Sequence, residues 1–187
     1  DGDLMLKRSE DSSVEVICKR SDIQLPGDHN VENVLAAIAI CLCANARSSL
    51  MAEVIRDFRG VPHRLETVGT VNKVKYINDS ISTTPSRAMA GILAMTAPII
   101  QIAGGYDKKL PFDVMAELAV DKVKASVLLG ATADKIQFAL EKAAREKKAP
   151  MPTVLRASDL EEAVRIASDI ASEGDVVLLS RACASYD

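Results

Sequence analysis

Asn78-Asp79-Ser80-Ile81-Ser82-Thr83-Thr84-Pro85 brings an amide, a carboxylate and four hydroxyls into eight residues. The alternating run Val71 to Ile77 ahead of it predicts a strand, and Ser86 to Met95, rich in Ala, Leu and Met, predicts a helix after it. Pro85 suits a first helical turn, where its missing N–H would have no partner, and Thr84 suits the N-cap. A strand end, a polar turn and a helix N-terminus together expose hydroxyls, a carboxylate and backbone N–H groups at one sheet edge. Open α/β sheets bind anionic or polyhydroxyl ligands at such edges. A capped turn with no ligand is the alternative that these residues alone leave open.

Four other strings carry comparable chemistry. Asn30 and Asn33, three apart at the start of a helix after His29, share a face, and their amides can reach one planar polar ligand such as a purine edge; solvated amides beside an Asp28 cap are the alternative. His63-Arg64 follows the linker-like Gly60-Val61-Pro62, and the guanidinium fork matches phosphate oxygens; a salt bridge to Glu66 or Asp57 competes. Gly104-Gly105-Tyr106-Asp107-Lys108 follows an apolar strand, so a sharp turn is followed by a point charge for a carboxylate or phosphate. Ser180-Arg181-Ala182-Cys183-Ala184-Ser185-Tyr186 follows the last strand with small residues that permit close backbone approach. No G-x-x-x-x-G-K-[ST] phosphate loop and no G-x-G-x-x-G fingerprint occurs in the chain. Cys183 has no adjacent histidine to activate it as a nucleophile.

The elements that must hold these residues follow from composition and periodicity. The 187 residues carry a net charge of −3 with both signs interspersed, which excludes a basic nucleic-acid stripe or membrane-surface helix. Aromatics are only 3% and Trp is absent, so the core falls to Ile, Leu, Val, Ala and Met, as under a parallel sheet. The four cysteines, Cys18, Cys41, Cys43 and Cys183, read as small buried hydrophobes of a reducing compartment.

Leu4 to Lys7 and Val14 to Lys19 predict a hairpin around Ser9 to Ser13; Val31 to Cys43 and Ser49 to Phe58 predict helices. Beyond Pro62, strands at Val71 to Ile77, Ile99 to Ala103, Ala125 to Leu129, Thr153 to Arg156 and Val176 to Ser180 alternate with helices at Ser86 to Met95, Phe112 to Leu118, Ala133 to Lys147 and Asp159 to Ser172. That alternation predicts an α/β fold with a Rossmann-like, doubly wound, mostly parallel sheet over 61–187. The hairpin and helices of 1–60 lack a sheet of their own to cover, and read as the remnant of a second α/β domain.

In this order, the strings Leu25-Pro-Gly-Asp-His-Asn-Val-Glu-Asn-Val-Leu-Ala-Ala, Pro62-His-Arg-Leu-Glu, Ile77-Asn-Asp-Ser, Gly104-Gly-Tyr-Asp-Lys and Leu178-Leu-Ser-Arg-Ala-Cys-Ala-Ser resemble the Mur ligases of peptidoglycan synthesis. The last string points to the D-glutamate-adding branch. The resemblance implies a cytoplasmic ATP-dependent amide-bond-forming ligase. Residues 1–60 would be the end of a central ATP-binding domain and 61–187 the amino-acid-binding domain. It implies ATP as substrate, magnesium held by ligands outside this chain, and D-glutamate and UDP-N-acetylmuramoyl-L-alanine as the other small-molecule partners. It implies no nucleic acid and no membrane, and a monomer.

By residue match, Asn30, Asn33, Arg64 and Asp79 would meet ATP, and Thr83, Lys108, Ser185 and Tyr186 would hold D-glutamate, with this piece inactive alone. Another Mur ligase, a folylpolyglutamate synthetase-like ligase and a non-catalytic nucleotide-binding module are the alternatives. Ile81 stands where some members have Lys, and Arg181 where Pro is common. The chain also stops before a Phe that the family adds to the amino-acid pocket.

Overall fold

The computed structural model describes residues 2–7 and 13–184. The chain divides into two compact units, Asp1–Gly60 and Val61–Asp187.

In the first unit, β1 (Asp3–Lys7) pairs antiparallel with β2 (Val14–Lys19), from Asp3 opposite Lys19 to Lys7 opposite Val14. The predicted turn between them lies almost wholly outside the described residues. A single 3-10 turn, Arg20–Asp22, leads to α1 (Asp28–Cys43) and α2 (Ser48–Asp57). A hairpin alone is marginal in water; here Leu4, Ile17 and Cys18 bury against Ile23, Ile38 and Met51. Burial pushes the Cys18 thiol up, away from the reactive thiolate. All four cysteines are free. Cys43, in the last turn of α1, is exposed and Cys41 is only half-buried, so the expectation of four buried thiols holds for Cys18 and Cys183 alone.

The second unit is one six-stranded sheet in the order β3-β4-β8-β5-β6-β7. It contains β3 (Glu66–Val71), β4 (Val74–Asn78), β5 (Ile99–Gly104), β6 (Val123–Leu129), β7 (Thr153–Arg156) and β8 (Val176–Leu179). All neighbours run parallel except β3, which is antiparallel to β4. The single strand expected over Val71 to Ile77 is therefore the second arm of a hairpin. Asn72 and Lys73 form its two-residue turn, both at positive φ, 50° and 62°, the geometry whose twist suits a tight hairpin. β3 escaped notice because Gly69 and a register shift at Thr67/Gly69 break its alternation.

Between the strands run α3 (Pro85–Leu93), α4 (Asp113–Lys122), α5 (Ala133–Lys147) and α6 (Leu160–Ile170). Residues from α3, α4 and α5 pack on one sheet face through Ile92, Met115, Ile136 and Leu140, against Ile77, Ile99, Leu128 and Leu178. On the other face Ala163 and Ala167 of α6 meet Ile100, Ile102, Val127 and Val177. Strand β5 is buried along its whole length, as a strand covered on both faces must be. The last strand, β8, lies between β4 and β5. This brings the turns that follow β4, β8 and β5 side by side, although they are far apart in sequence.

Local sequence fixes how the helices start. Thr84 caps α3 by accepting from the Arg87 N–H, with Pro85 in the first turn. Asp159 caps α6 by accepting from the Glu162 N–H at 2.8 Å, while the Glu162 carboxylate accepts from both the Ser158 N–H and its hydroxyl at 2.8 Å. These donors hold both carboxyls below the usual carboxylate range, the backbone N–H of Glu162 leading for Asp159 and that of Ser158 for Glu162. Their stabilisation is therefore complete above the unfolded values, about 4 for both, and is lost as pH falls through the lower folded values. Acidification is expected to loosen the start of α6 before the buried β5. Amide exchange at Glu162 followed against pH checks this, and protection that stays constant down to full protonation would rule it out.

Candidate functional site

The polar strings after β4, β5 and β8 meet at the carboxyl ends of the parallel strands, the edge where open α/β sheets bind ligands. Backbone hydrogen bonds lace them together. Ser180 N–H donates to Ile102 O at 3.2 Å, Gly104 N–H to Arg181 O at 2.8 Å, Tyr106 N–H to Ala184 O at 2.9 Å and Ala182 N–H to Ser82 O at 3.0 Å. Arg181 returns a bond from its Nε–H to Gly104 O at 3.0 Å. Thr132, fully buried after β6, accepts from Gly105 N–H and lies 3.1 Å from Cys183 Sγ.

Within this frame the structure brings together most of the second-unit residues singled out above. Lys108 is exposed, and its Nζ points to the carbonyl oxygen of the half-buried Thr83 at 3.4 Å. Asp107 beside it is engaged elsewhere: a hydrogen bond from Lys135, then one from the Lys109 N–H, hold its carboxyl below the usual range. Among the described residues, no ion pair neutralises Lys108, so its charge remains directed at the rim. Arg64 is exposed, one residue before Leu65, whose N–H donates to Asp79. His63 is fixed by its ring, 3.0 Å from Asn78 Nδ2, and by its N–H on Glu66.

Asp79 itself is only 3% exposed. Its Oδ1 accepts from Leu65 N–H at 3.2 Å, and its Oδ2 from Ser82 Oγ–H at 2.6 Å and Ser180 Oγ–H at 3.1 Å. Sequence inspection places both serines in polar strings but does not join them to the Asp79 carboxylate, and it gives no sign of the Arg181 staple or of Thr132. The Asp79-x-x-Ser82 spacing was a usable signal, whereas Ser180 and Thr132 reach the site only through strand order. Ser185 and Tyr186 lie outside the described residues, directly after Ala184, whose carbonyl is bonded to Tyr106.

In the first unit, Asn30 and Asn33 share a face of α1 as expected, and they bond each other. Asn33 Nδ2–H donates to Asn30 Oδ1 at 3.1 Å, and Asn30 Nδ2–H donates to Pro26 O at 2.7 Å. The cap of α1 is Gly27 at φ 86°, not Asp28, which sits inside the first turn where its charge favours the helix dipole. Asn30 is buried and braces the preceding loop, while Asn33 is exposed and available to a ligand. Among the described residues no group of three His, Cys, Asp or Glu gathers to hold a metal ion. Among the same residues no helix is long and apolar enough to cross a membrane.

Residues 63–183 match the family described as Mur ligase, glutamate ligase domain, and the chain belongs to that family. Two of the relatives it matches carry the same name. UDP-N-acetylmuramoylalanine--D-glutamate ligase of Clostridium kluyveri is 48% identical over 171 residues, and that of Clostridium botulinum strain Loch Maree is 46% identical over 173. Each alignment covers 91% of this chain, and the chain spans 37% of either relative.

Solved structures share the fold. UDP-N-acetylmuramate-alanine ligase MurC of Thermotoga maritima matches 86% of this chain and 36% of its own, with TM-score 0.65 and 20% identity. Folylpolyglutamate synthase of Mycobacterium tuberculosis, complexed with ADP and AMPPCP, matches 96% and 45%, with TM-score 0.67 and 12% identity.

Proposed function

We propose that this chain is part of a longer ATP-dependent ligase that joins D-glutamate to UDP-N-acetylmuramoyl-L-alanine, and that its second unit holds the amino acid. The observation that carries this is the Leu178-Leu-Ser-Arg-Ala-Cys-Ala-Ser string, whose described residues up to Ala184 lie at the sheet rim, in a chain 46–48% identical to relatives bearing that activity in their names. The carboxylate of the nucleotide substrate attacks the γ-phosphorus of ATP and ADP leaves, giving an acyl phosphate. The amine of D-glutamate attacks the acyl carbon, a tetrahedral intermediate forms, and inorganic phosphate departs as the amide closes.

The proposed roles are those that the match of motifs implies, and in the second unit charge and position support them. Lys108 pairs a carboxylate of D-glutamate beside Thr83, and Ser185 and Tyr186 are assigned to the same amino acid by the motif alone. Arg64 and Asp79 meet the ribose and phosphates of ATP, and Asn30 and Asn33 the adenine, with Asn30 also bracing the preceding loop. Magnesium, where the full ligase uses it, would offset the charge gathering on the phosphoryl oxygens. The enzyme acts in the cytoplasm on small molecules, as a monomer, and the 187-residue piece alone does not turn over.

Phosphate release by the full-length ligase, with UDP-N-acetylmuramoyl-L-alanine, ATP and a panel of amino acids, tests the assignment. D-glutamate is expected to be preferred. Preference for another amino acid would instead favour a different Mur ligase or a folylpolyglutamate synthetase-like specificity, and no phosphate release with any would favour a non-catalytic module.

A further inference from the structure

We propose that Asp79 is a positioning residue for the amino-acid side of the site, acting through Ser82 and Ser180; this rests on the D-glutamate function proposed above. A carboxylate offers about four acceptor positions, and three are filled from within the protein by Leu65 N–H, Ser82 Oγ–H and Ser180 Oγ–H. Both hydroxyl donors are buried, Ser82 at 4% exposure and Ser180 at 0%. The α3 backbone closes over the group: a Cβ on Gly91 would lie 2.8 Å from Asp79 Oδ2 and 3.4 Å from Ser180 Oγ. The carboxylate is thus tied to Leu65 and to the turns after β4 and β8 by three hydrogen bonds, with about one acceptor position left over for a ligand.

What these bonds hold decides its role. Ser82 accepts the Ala182 N–H, so residues 79, 82, 180 and 182 close a ring across the β4 and β8 turns. Ser82 is followed by Thr83, whose carbonyl faces Lys108 Nζ at 3.4 Å. Ser180 is followed by Arg181, which exchanges two hydrogen bonds with Gly104, the first residue of the turn bearing Lys108. Both routes from the carboxylate end at Thr83 and Lys108. Only the third, through Leu65, runs toward Arg64.

Losing either serine hydroxyl therefore loosens the amino-acid side while leaving Leu65 on Oδ1. In the full-length ligase, Ser82→Ala and Ser180→Ala are each expected to raise the KM for D-glutamate about three- to tenfold, with the KM for ATP changed less than about twofold. Ser82→Thr, which keeps the hydroxyl, is expected to return the KM toward wild type. In an Asp79→Asn background, either serine change is expected to add little, since the shared acceptor is already altered. Equal rises in both KM values, or no rise for D-glutamate, would overturn the proposal. Should Asp79→Asn fail to fold, the serine variants, each lacking one oxygen atom, carry the test by themselves. If the wild-type ligase rejects D-glutamate, the proposed function fails instead, and the same comparison is made with the amino acid it accepts.

Discussion

Replacing Lys108 by Ala in the full-length ligase is expected to raise the KM for D-glutamate about ten- to a hundredfold, the loss of one charge-assisted hydrogen bond to a carboxylate. The KM for ATP should stay within about twofold, because Lys108 acts as a point charge on the amino-acid side only. Its neighbourhood explains why the effect should be large. Asp107, the nearest carboxylate in sequence, is bonded to Lys135 and the Lys109 N–H, so it is not available to pair with Lys108. Among the described residues the partner of Lys108 is a single carbonyl, Thr83 O at 3.4 Å, which is long for a hydrogen bond and is easily given up to an incoming carboxylate. Lys108→Arg keeps the charge but replaces the ammonium with a planar fork, and should recover only part of the loss. Steady-state kinetics with each substrate varied separately decides the matter, and a parallel rise in both KM values would remove Lys108 from the amino-acid side.

The parallel core was legible because its strands are short, apolar and separated by turn residues. Ile99 to Ala103, apolar with little alternation, reads as a strand covered on both faces, and it is one. The helix start at Thr84-Pro85 was equally plain, since cap and first-turn chemistry is local. β3 was not legible: Glu66 to Val71 has a glycine and a register shift where alternation should be, and its pairing with β4 depends on an Asn-Lys turn at positive φ.

The site divides along the same line. Asn30 and Asn33 are neighbours by helical spacing, but their mutual bond and the bond to Pro26 depend on the Gly27 backbone, which spacing does not encode. Asp79, Ser82 and Thr83 announce themselves as one polar turn. Ser180 meets Asp79 across 101 residues only because β8 inserts between β4 and β5, and strand order is a property of the whole sheet. The sequence therefore shows which polar groups are present, and the topology shows which of them are committed to each other. Asp79 is a polar group open to any role in the first view, and in the second it is also a tie between two turns.

The turn that carries Lys108 depends on a close approach that sequence hints at and the structure quantifies. Gly104 has φ 115°, and a Cβ there would lie 2.0 Å from Leu129 O and 3.1 Å from Leu129 C and N. These are backbone atoms of β6, the parallel neighbour of β5, so no side chain can swing aside to make room. Gly104→Ala is expected to cost about 3–5 kcal/mol, the range of the most damaging single substitutions, by combining backbone strain with a forced displacement of the strand pair. Against a typical total of about 5–15 kcal/mol, that leaves the fold marginal.

Gly174→Ala supplies the control. Gly174 also has positive φ, 90°, but a Cβ there meets nothing within 4 Å, so its cost is about 1 kcal/mol of conformational strain alone. Urea unfolding of the 187-residue chain, followed through amide resonances of β5 and β6, measures both. A Gly104→Ala midpoint well below that of Gly174→Ala is the expected result. Equal midpoints would mean that β5 and β6 can part at Gly104 without penalty, and the Gly104–Lys108 turn would then be too loosely held to fix the charge of Lys108 against a substrate carboxylate.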